Sequence, residues 1–229
     1  GKEMVICDKR HRYMDRCQDD EVCVCEMSQA NVEQISRIIE IAGSDPAGWR
    51  KTTLEERHKI MYEAANRLGE MRGDLIGCMC AITGKTVVEG DVEVSEGIDY
   101  ARFYTTSMKL FADLPDVDIT PEGTVLVISP WNFPCAIPIG GIVAALAGGN
   151  TVILKPATVA AVAWLFAQAF WDAGVPKEAL QVIITDRDAL KVLTSAPAIK
   201  HIILTGGTDT AQNIARSNPS TPLSAETGG

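Results

Sequence analysis

The sequence has no excess of basic residues, no long apolar run and no even set of cysteines. Lysine and arginine number 21 against 30 aspartates and glutamates, a formal net charge of −9, so a nucleic-acid partner has no electrostatic support. No basic stretch followed by an apolar core opens the 229 residues, which leaves secretion unsupported. The most apolar segment, Ile137 to Leu146, is short and carries Gly140-Gly141. It predicts a buried core helix and no membrane span. Seven cysteines argue against a closed disulfide framework and for a reducing, cytoplasmic setting. The pairs Cys23/Cys25 and Cys78/Cys80 lack the C-x-x-C spacing of zinc sites. No metal is expected, and these thiols read as small buried hydrophobes. Cys23 and Cys25 would share one side of a strand, whereas Cys78 and Cys80 would diverge on a helix. The three histidines are scattered, and no Ser/His/Asp set, P-loop or G-x-G-x-x-G fingerprint is present. There is no long internal repeat and no low-complexity tract.

What is present divides the chain near residue 121. Before it, Glu21 to Glu26 alternates as a short strand. Ser28 reads as the N-cap of a helix that runs through Val32, Ile35, Ile38, Ile39 and Ala42 and stops at Gly43. Asp45-Pro46-Ala47-Gly48 is a turn, and Thr53-Leu54-Glu55-Glu56 is a capping box. Helices are expected behind that box, over about 74–83, and over about 87–110, with no chemistry visible in any of them. After the connector Leu114 to Pro121, five apolar runs alternate with helical stretches: Val125–Ile128, Thr151–Leu154, Leu180–Ile184, Lys200–Leu204 and Pro222–Ala225. The helices between them fall at about 135–147, 159–173, 187–195 and 209–217. Alternation at this spacing predicts right-handed βαβ units and a five-stranded parallel sheet with flanking helices, an α/β fold preceded by a helical segment. Gly148-Gly149-Asn150 and Gly174 stand where helix C-termini need positive φ.

The loops at the carboxyl ends of these strands carry the candidate chemistry, because ligands of open α/β sheets bind there. After the first run come Ser129, Pro130, Trp131, Asn132 and Phe133, with Pro134 placed for a helix's first turn. Asn132 either does backbone work in the turn or offers its amide to a developing oxyanion. After the second run come Lys155 and Pro156, where the ammonium either reaches an anionic or hydroxylated ligand or is simply solvated. After the fourth come Gly206, Gly207 and Thr208, where the backbone can approach a ligand and a helix N-terminus offers free N–H groups to a phosphate. After the fifth come Glu226, Thr227 and Gly228. A glutamate closing an apolar strand is either solvent-exposed or has a task.

In order, SPWNFP (129–134), LKPA (154–157), LTGGT (204–208) and AETGG (225–229) resemble the motif series of the NAD(P)-dependent aldehyde dehydrogenases. The likeness runs from about Asn31 to the last residue. Within that superfamily the wording, with the stretch Asp45 to Trp49, is most similar to the glutamate-semialdehyde (1-pyrroline-5-carboxylate) dehydrogenases, including the dehydrogenase half of the bifunctional proline-utilisation enzymes. The resemblance implies a Rossmann-like variant sheet over residues 122–229, preceded by a segment (1–121) of the same cofactor-binding domain. It implies catalytic roles for Asn132, the oxyanion donor, and Glu226, the base that activates water. NAD, or NADP, would be bound by Ser129, Pro130, Trp131, Lys155, Pro156, Gly206, Gly207, Thr208 and Gly228. The substrate would be a small-molecule aldehyde, and the full-length enzyme a homo-oligomer.

Three departures from the family pattern bear on the cofactor. Thr158 stands where a glutamate usually follows Lys-Pro-Ala, and Gly207 stands where the phosphate loop has a serine. Asp186 and Asp188 follow the third strand where a glycine-containing loop is usual. Weak or altered NAD binding is therefore expected. The family's nucleophilic cysteine lies downstream of the AETGG motif, in a catalytic domain absent from the 229 residues, so no aldehyde oxidation is expected of this chain alone. Cys135 follows Pro134 at a helix start and reads as core. Two other readings stay open: a cofactor-binding module or degenerate homologue without catalysis, and an acyl-CoA-forming enzyme on the same fold. Glu226 counts against the last.

Overall fold

A computed structural model describes residues 10–18 and 22–228. It begins with a strand that the sequence pattern hides. β1 (Arg10–Met14) pairs antiparallel with β2 (Cys23–Ser28). Tyr13 is buried against Ile82, Val159 and Ala160, while Arg10 and Arg12 face outward onto Glu26 at 3.5 and 3.0 Å. β2 alternates as its sequence predicts, with Cys23, Cys25 and Met27 turned inward. The expected start at Glu21 lies outside the described residues.

Ser28 is not a helix cap. It is held in the ribbon opposite Arg10, and α1 (Val32–Ser44) is capped instead by Asn31. The Asn31 side chain accepts the Gln34 N–H, and the Gln34 carboxamide accepts the Asn31 N–H, each at 2.9 Å. These are two reciprocal bonds for two orphan donors. Nor does Gly43 stop the helix. Asp45 takes the left-handed position after it, at φ 47°, and its carboxylate accepts the N–H groups of Trp49 and Arg50.

Three helices follow, α2 (Leu54–Glu70), α3 (Arg72–Thr83) and α4 (Val87–Ala112). The capping box at Thr53 forms as read, with the Glu56 carboxylate accepting the Thr53 N–H at 2.7 Å. Then come β3 (Thr124–Ile128), α5 (Ala136–Ala147), β4 (Thr151–Lys155), α6 (Ala160–Ala173), β5 (Leu180–Val182), α7 (Arg187–Thr194), β6 (Ile199–Thr205), α8 (Thr208–Ser217) and β7 (Leu223–Glu226). The last five strands form one parallel sheet, as the five apolar runs predict, and their order is β5-β4-β3-β6-β7. β5 ends before the expected Ile184, because the Ile184 carbonyl turns away to accept the N–H of Ala30. Of the residues expected at positive φ, Gly149 (83°) and Gly174 (114°) have it, and Gly148 and Asn150 do not.

Alternation along each strand divides the core. Val125, Val127, Val152, Leu154 and Leu180 face α2, α4, α5 and α6. Leu126, Ile128, Ile153, Ile202 and Leu204 face α1, α7 and α8. Strands covered on both faces need apolar residues at every position, which is why β3 and β4 read as unbroken runs. The predicted buried helix is α5, with nine of its twelve residues in the interior. Among the described residues no helix is long and apolar enough to cross a membrane.

Candidate active site

The chain leaves β3 toward β4 on one side and reaches β6 on the other, so the strand order reverses beside β3. A crevice opens at the carboxyl ends of strands at such a switch point. The parallel register sets Ile128 level with both Lys155 and Leu204, and Thr205 level with Glu226. Ser129, Lys155, Gly206 and Glu226 therefore emerge along one edge, and backbone bonds tie them in pairs. The Ser129 N–H donates to the Lys155 carbonyl (3.3 Å), and the Gly206 N–H donates to the Glu226 carbonyl (3.1 Å).

Ser129 and Pro156 are buried at the base of this edge, Pro130 is half-buried, and Trp131 and Asn132 are exposed. The Asn132 Oδ1 accepts the N–H of Phe133 at 3.1 Å. That bond does the turn work, and it leaves the Nδ2 hydrogens as the outward donors. The two readings of Asn132 are thus compatible in one conformation. Pro134 lies just ahead of α5 rather than in its first turn, since the helix starts at Ala136.

Lys155 is partly buried, and its ammonium has no hydrogen-bond or ion-pair partner among the described residues. Burial is what lowers its pKa from 10.5, because a desolvated ammonium without a counter-charge favours the neutral form. Between that lowered value and 10.5 the unfolded chain binds more protons than the folded one, so stability rises with pH across that window. Replacing Lys155 with methionine is expected to raise stability at neutral pH by about 1 kcal/mol, roughly 2–4 °C in Tm, and to abolish that rise. Thermal melts at neutral and alkaline pH measure both. A residue kept at a cost to stability is in character for a ligand contact.

Gly207 is the N-cap of α8 with no side chain to cap it, and Gly207 and Thr208 are exposed. The first N–H groups of α8 point to the edge with local partial positive charge. Gly228 has φ 133°, a conformation open to glycine. Glu226 ends the exposed edge strand β7. On α4, Tyr100 donates to Glu96 at 2.8 Å, and that bond first, then burial, with Glu226 a smaller contributor, holds the phenol up at about 12. Asp186 is not turned on a ligand. It caps α7, accepting the Ala189 N–H at 3.0 Å. The side chain of Asp188 lies outside the described residues.

Cys135 is fully buried, and burial pushes its thiol up, with the nearby Glu93 carboxylate adding to the effect. A thiol in that state is no nucleophile. In the folded chain iodoacetamide is expected to label the exposed Cys17 and to spare Cys135 at neutral pH, as peptide mass spectrometry would show.

The sequence reading of 87–110 as helical packing alone missed a buried ion pair beneath this edge. Glu93 on α4 meets Lys85 and the N-terminus of α5. The signal was there: Glu93 sits on the buried stripe Gly90, Val94, Gly97, Ile98 and Ala101.

Comparison with known proteins places these residues in context. A family model described as "Aldehyde dehydrogenase family" matches residues 7–229. The 1-pyrroline-5-carboxylate dehydrogenase of Geobacillus sp. (strain WCH70) is 32% identical over 221 residues, covering 91% of this chain and 43% of that protein. The bifunctional protein PutA of Klebsiella aerogenes is 35% identical, covering 90% of this chain and 16% of its own length. The solved structure of proline utilization A from Corynebacterium freiburgense superposes with a TM-score of 0.79 at 38% identity, covering 87% of this chain and 20% of that one. The chain spans less than half the length of each of these relatives.

Proposed function

From a chain that belongs to the aldehyde dehydrogenase family, we propose the cofactor-binding part of an NAD-dependent dehydrogenase that oxidises L-glutamate 5-semialdehyde to glutamate in proline breakdown. The observation that carries this is the single edge on which Asn132, Lys155, Gly206-Gly207 and Glu226 emerge, in the order of the family's motifs. The named relatives, a 1-pyrroline-5-carboxylate dehydrogenase and PutA, support the choice of substrate.

The residues present fit a dinucleotide. Lys155 holds an unpaired, partly desolvated ammonium for a ribose hydroxyl. A Cβ built on Gly207 meets nothing within 4 Å, so a pyrophosphate can reach the α8 N-terminus unobstructed. The nicotinamide, when bound, accepts the hydride. Asn132 holds the aldehyde oxygen as negative charge gathers on it, and Glu226 takes the proton of the water that releases the acid from a thioester. The thiol that attacks the aldehyde in this scheme is not Cys135, which is buried.

Calorimetric titration of the 229-residue chain with NAD is expected to show saturable binding weaker than about 1 μM. That binding should be lost in Lys155→Met. No saturable binding up to about 10 mM would overturn the proposal.

A further inference from the structure

Asn132 belongs to an exposed run, Trp131 to Phe133, between two anchors. On the strand side Ser129 is buried and bonded to β4. On the helix side α5 lacks a cap of its own: its N-cap residue, Cys135, makes no side-chain bond to the helix. The missing cap comes from 42 residues earlier. One carboxylate oxygen of Glu93 accepts the N–H groups of Cys135 (2.7 Å) and Ala136 (3.1 Å). The other oxygen pairs with Lys85, and the Glu93 side chain has no exposed surface. The same Lys85 ammonium stands 4.2 Å from the centre of the Phe133 ring, within cation–π range. One buried pair therefore grips the residue after Asn132 by its ring and the next turn by its backbone.

Close helix packing makes the reach possible. A Cβ on Gly97 would stand 3.0 Å from Ile139, and one on Gly140 would stand 3.3 Å from Tyr100. α4 and α5 meet through these two glycines, which brings the start of α4 under the start of α5. Two apolar side chains could fill the volume of Lys85 and Glu93 and remove the desolvation cost of the ion pair. They could not satisfy two helix N–H groups and hold an aromatic ring at once.

We propose that Lys85 and Glu93 are positioning residues that set the conformation of the Asn132 loop from outside it. Their importance for aldehyde oxidation rests on the function proposed above; the conformational effect does not. A negative carboxylate at the α5 N-terminus satisfies its dipole, Lys85 neutralises that carboxylate, and the Phe133 ring orients the turn in which the Asn132 amide points outward.

The test is nuclear magnetic resonance on the 229-residue chain labelled with nitrogen-15, without cofactor or aldehyde. The signals read are the Asn132 side-chain NH2 pair and the Trp131 indole, with the indoles of Trp49, Trp164 and Trp171 as internal controls. Glu93→Ala and Lys85→Met are expected to shift or broaden the Asn132 and Trp131 signals and leave the three controls in place. Lys85→Arg, which keeps the charge and the ring contact, is expected to restore them. Glu93→Gln keeps an acceptor oxygen but loses the ion pair, and should give a smaller shift. If Glu93→Ala does not fold, Glu93→Gln and Lys85→Met decide. Unmoved Asn132 and Trp131 signals in those two folded variants would overturn the proposal, whether or not the chain binds NAD. A chain that fails to bind NAD while these signals move would overturn the function and leave the positioning role intact.

Discussion

Replacing Trp49 with alanine is expected to lower the unfolding free energy by about 4 kcal/mol, and the Tm by roughly 10 °C. Trp49 is 1% exposed and opens the short 3₁₀ turn Trp49–Lys51. Its ring packs into the core that the α2–α6 face of the sheet shares, and its indole N–H donates to the carbonyl of Leu146 at the end of α5, at 3.2 Å. That carbonyl keeps a second donor, the N–H of Gly149 at 2.9 Å. The loss is therefore mainly one of cavity and contact rather than an orphaned acceptor. Trp49→Phe keeps most of the ring and should lose only about 1–1.5 kcal/mol. Urea denaturation followed by circular dichroism separates the two. Similar losses for both variants would mean that the hydrogen bond, not the packing, dominates. Domains of this kind are stable by about 5–15 kcal/mol, so Trp49→Ala consumes a large share of the whole.

Trp49 also shows what the sequence makes legible and what it does not. The turn before it was readable from Asp45-Pro46-Ala47-Gly48, because such residues favour turns for local reasons. Its partner, Leu146, lies 97 residues on, and no local pattern announces it. The same division runs through the fold. Val125–Ile128 and Thr151–Leu154 are recognisable as buried strands since both faces are covered. β1, RHRYM, rests on one inward tyrosine and is invisible to a search for apolar periodicity. Ser28 and Asn31 are both competent caps, and only the ribbon's claim on Ser28 decides between them.

At the candidate site, the edge on which the loops gather follows from the strands being parallel, and that followed from the alternation of runs and helices; the strand order that sets the switch point beside β3 did not. The outward Nδ2 of Asn132 depends on a hydrogen bond one residue away, a detail of geometry that residue type does not fix. Glu93 was detectable as a charge on a buried stripe, but its role was not, because its two acceptor bonds reach across to another helix.

Restoring the two missing polar contacts is expected to tighten NAD binding by about 10-fold or more for each. In the family pattern a glutamate at position 158 accepts from the ribose and a serine at position 207 donates to the phosphates. Thr158 is exposed in the loop after Lys155, so Thr158→Glu places its carboxylate in solvent with no burial cost. Gly207→Ser is equally unstrained. The backbone there has φ −70° and ψ 143°, open to any residue, and nothing stands within 4 Å of an added Cβ. A serine at this N-cap also supplies the side-chain acceptor that α8 lacks. It therefore stabilises the empty protein by a few tenths of a kcal/mol at most relative to glycine, a change visible in a melt without NAD. That control separates the two effects: a higher Tm alone reports capping, and a lower Kd reports the phosphate contact. The double variant should approach the product of the single gains, since the ribose and phosphate contacts reach different groups of the ligand. Thr158→Glu should also favour NAD over NADP, because its carboxylate repels a 2′-phosphate. Titration of the single and double variants with both dinucleotides measures all three results. Unchanged NAD affinity in the double variant would show that the dinucleotide does not lie across Lys155 and the α8 N-terminus, and the cofactor assignment would fall with it.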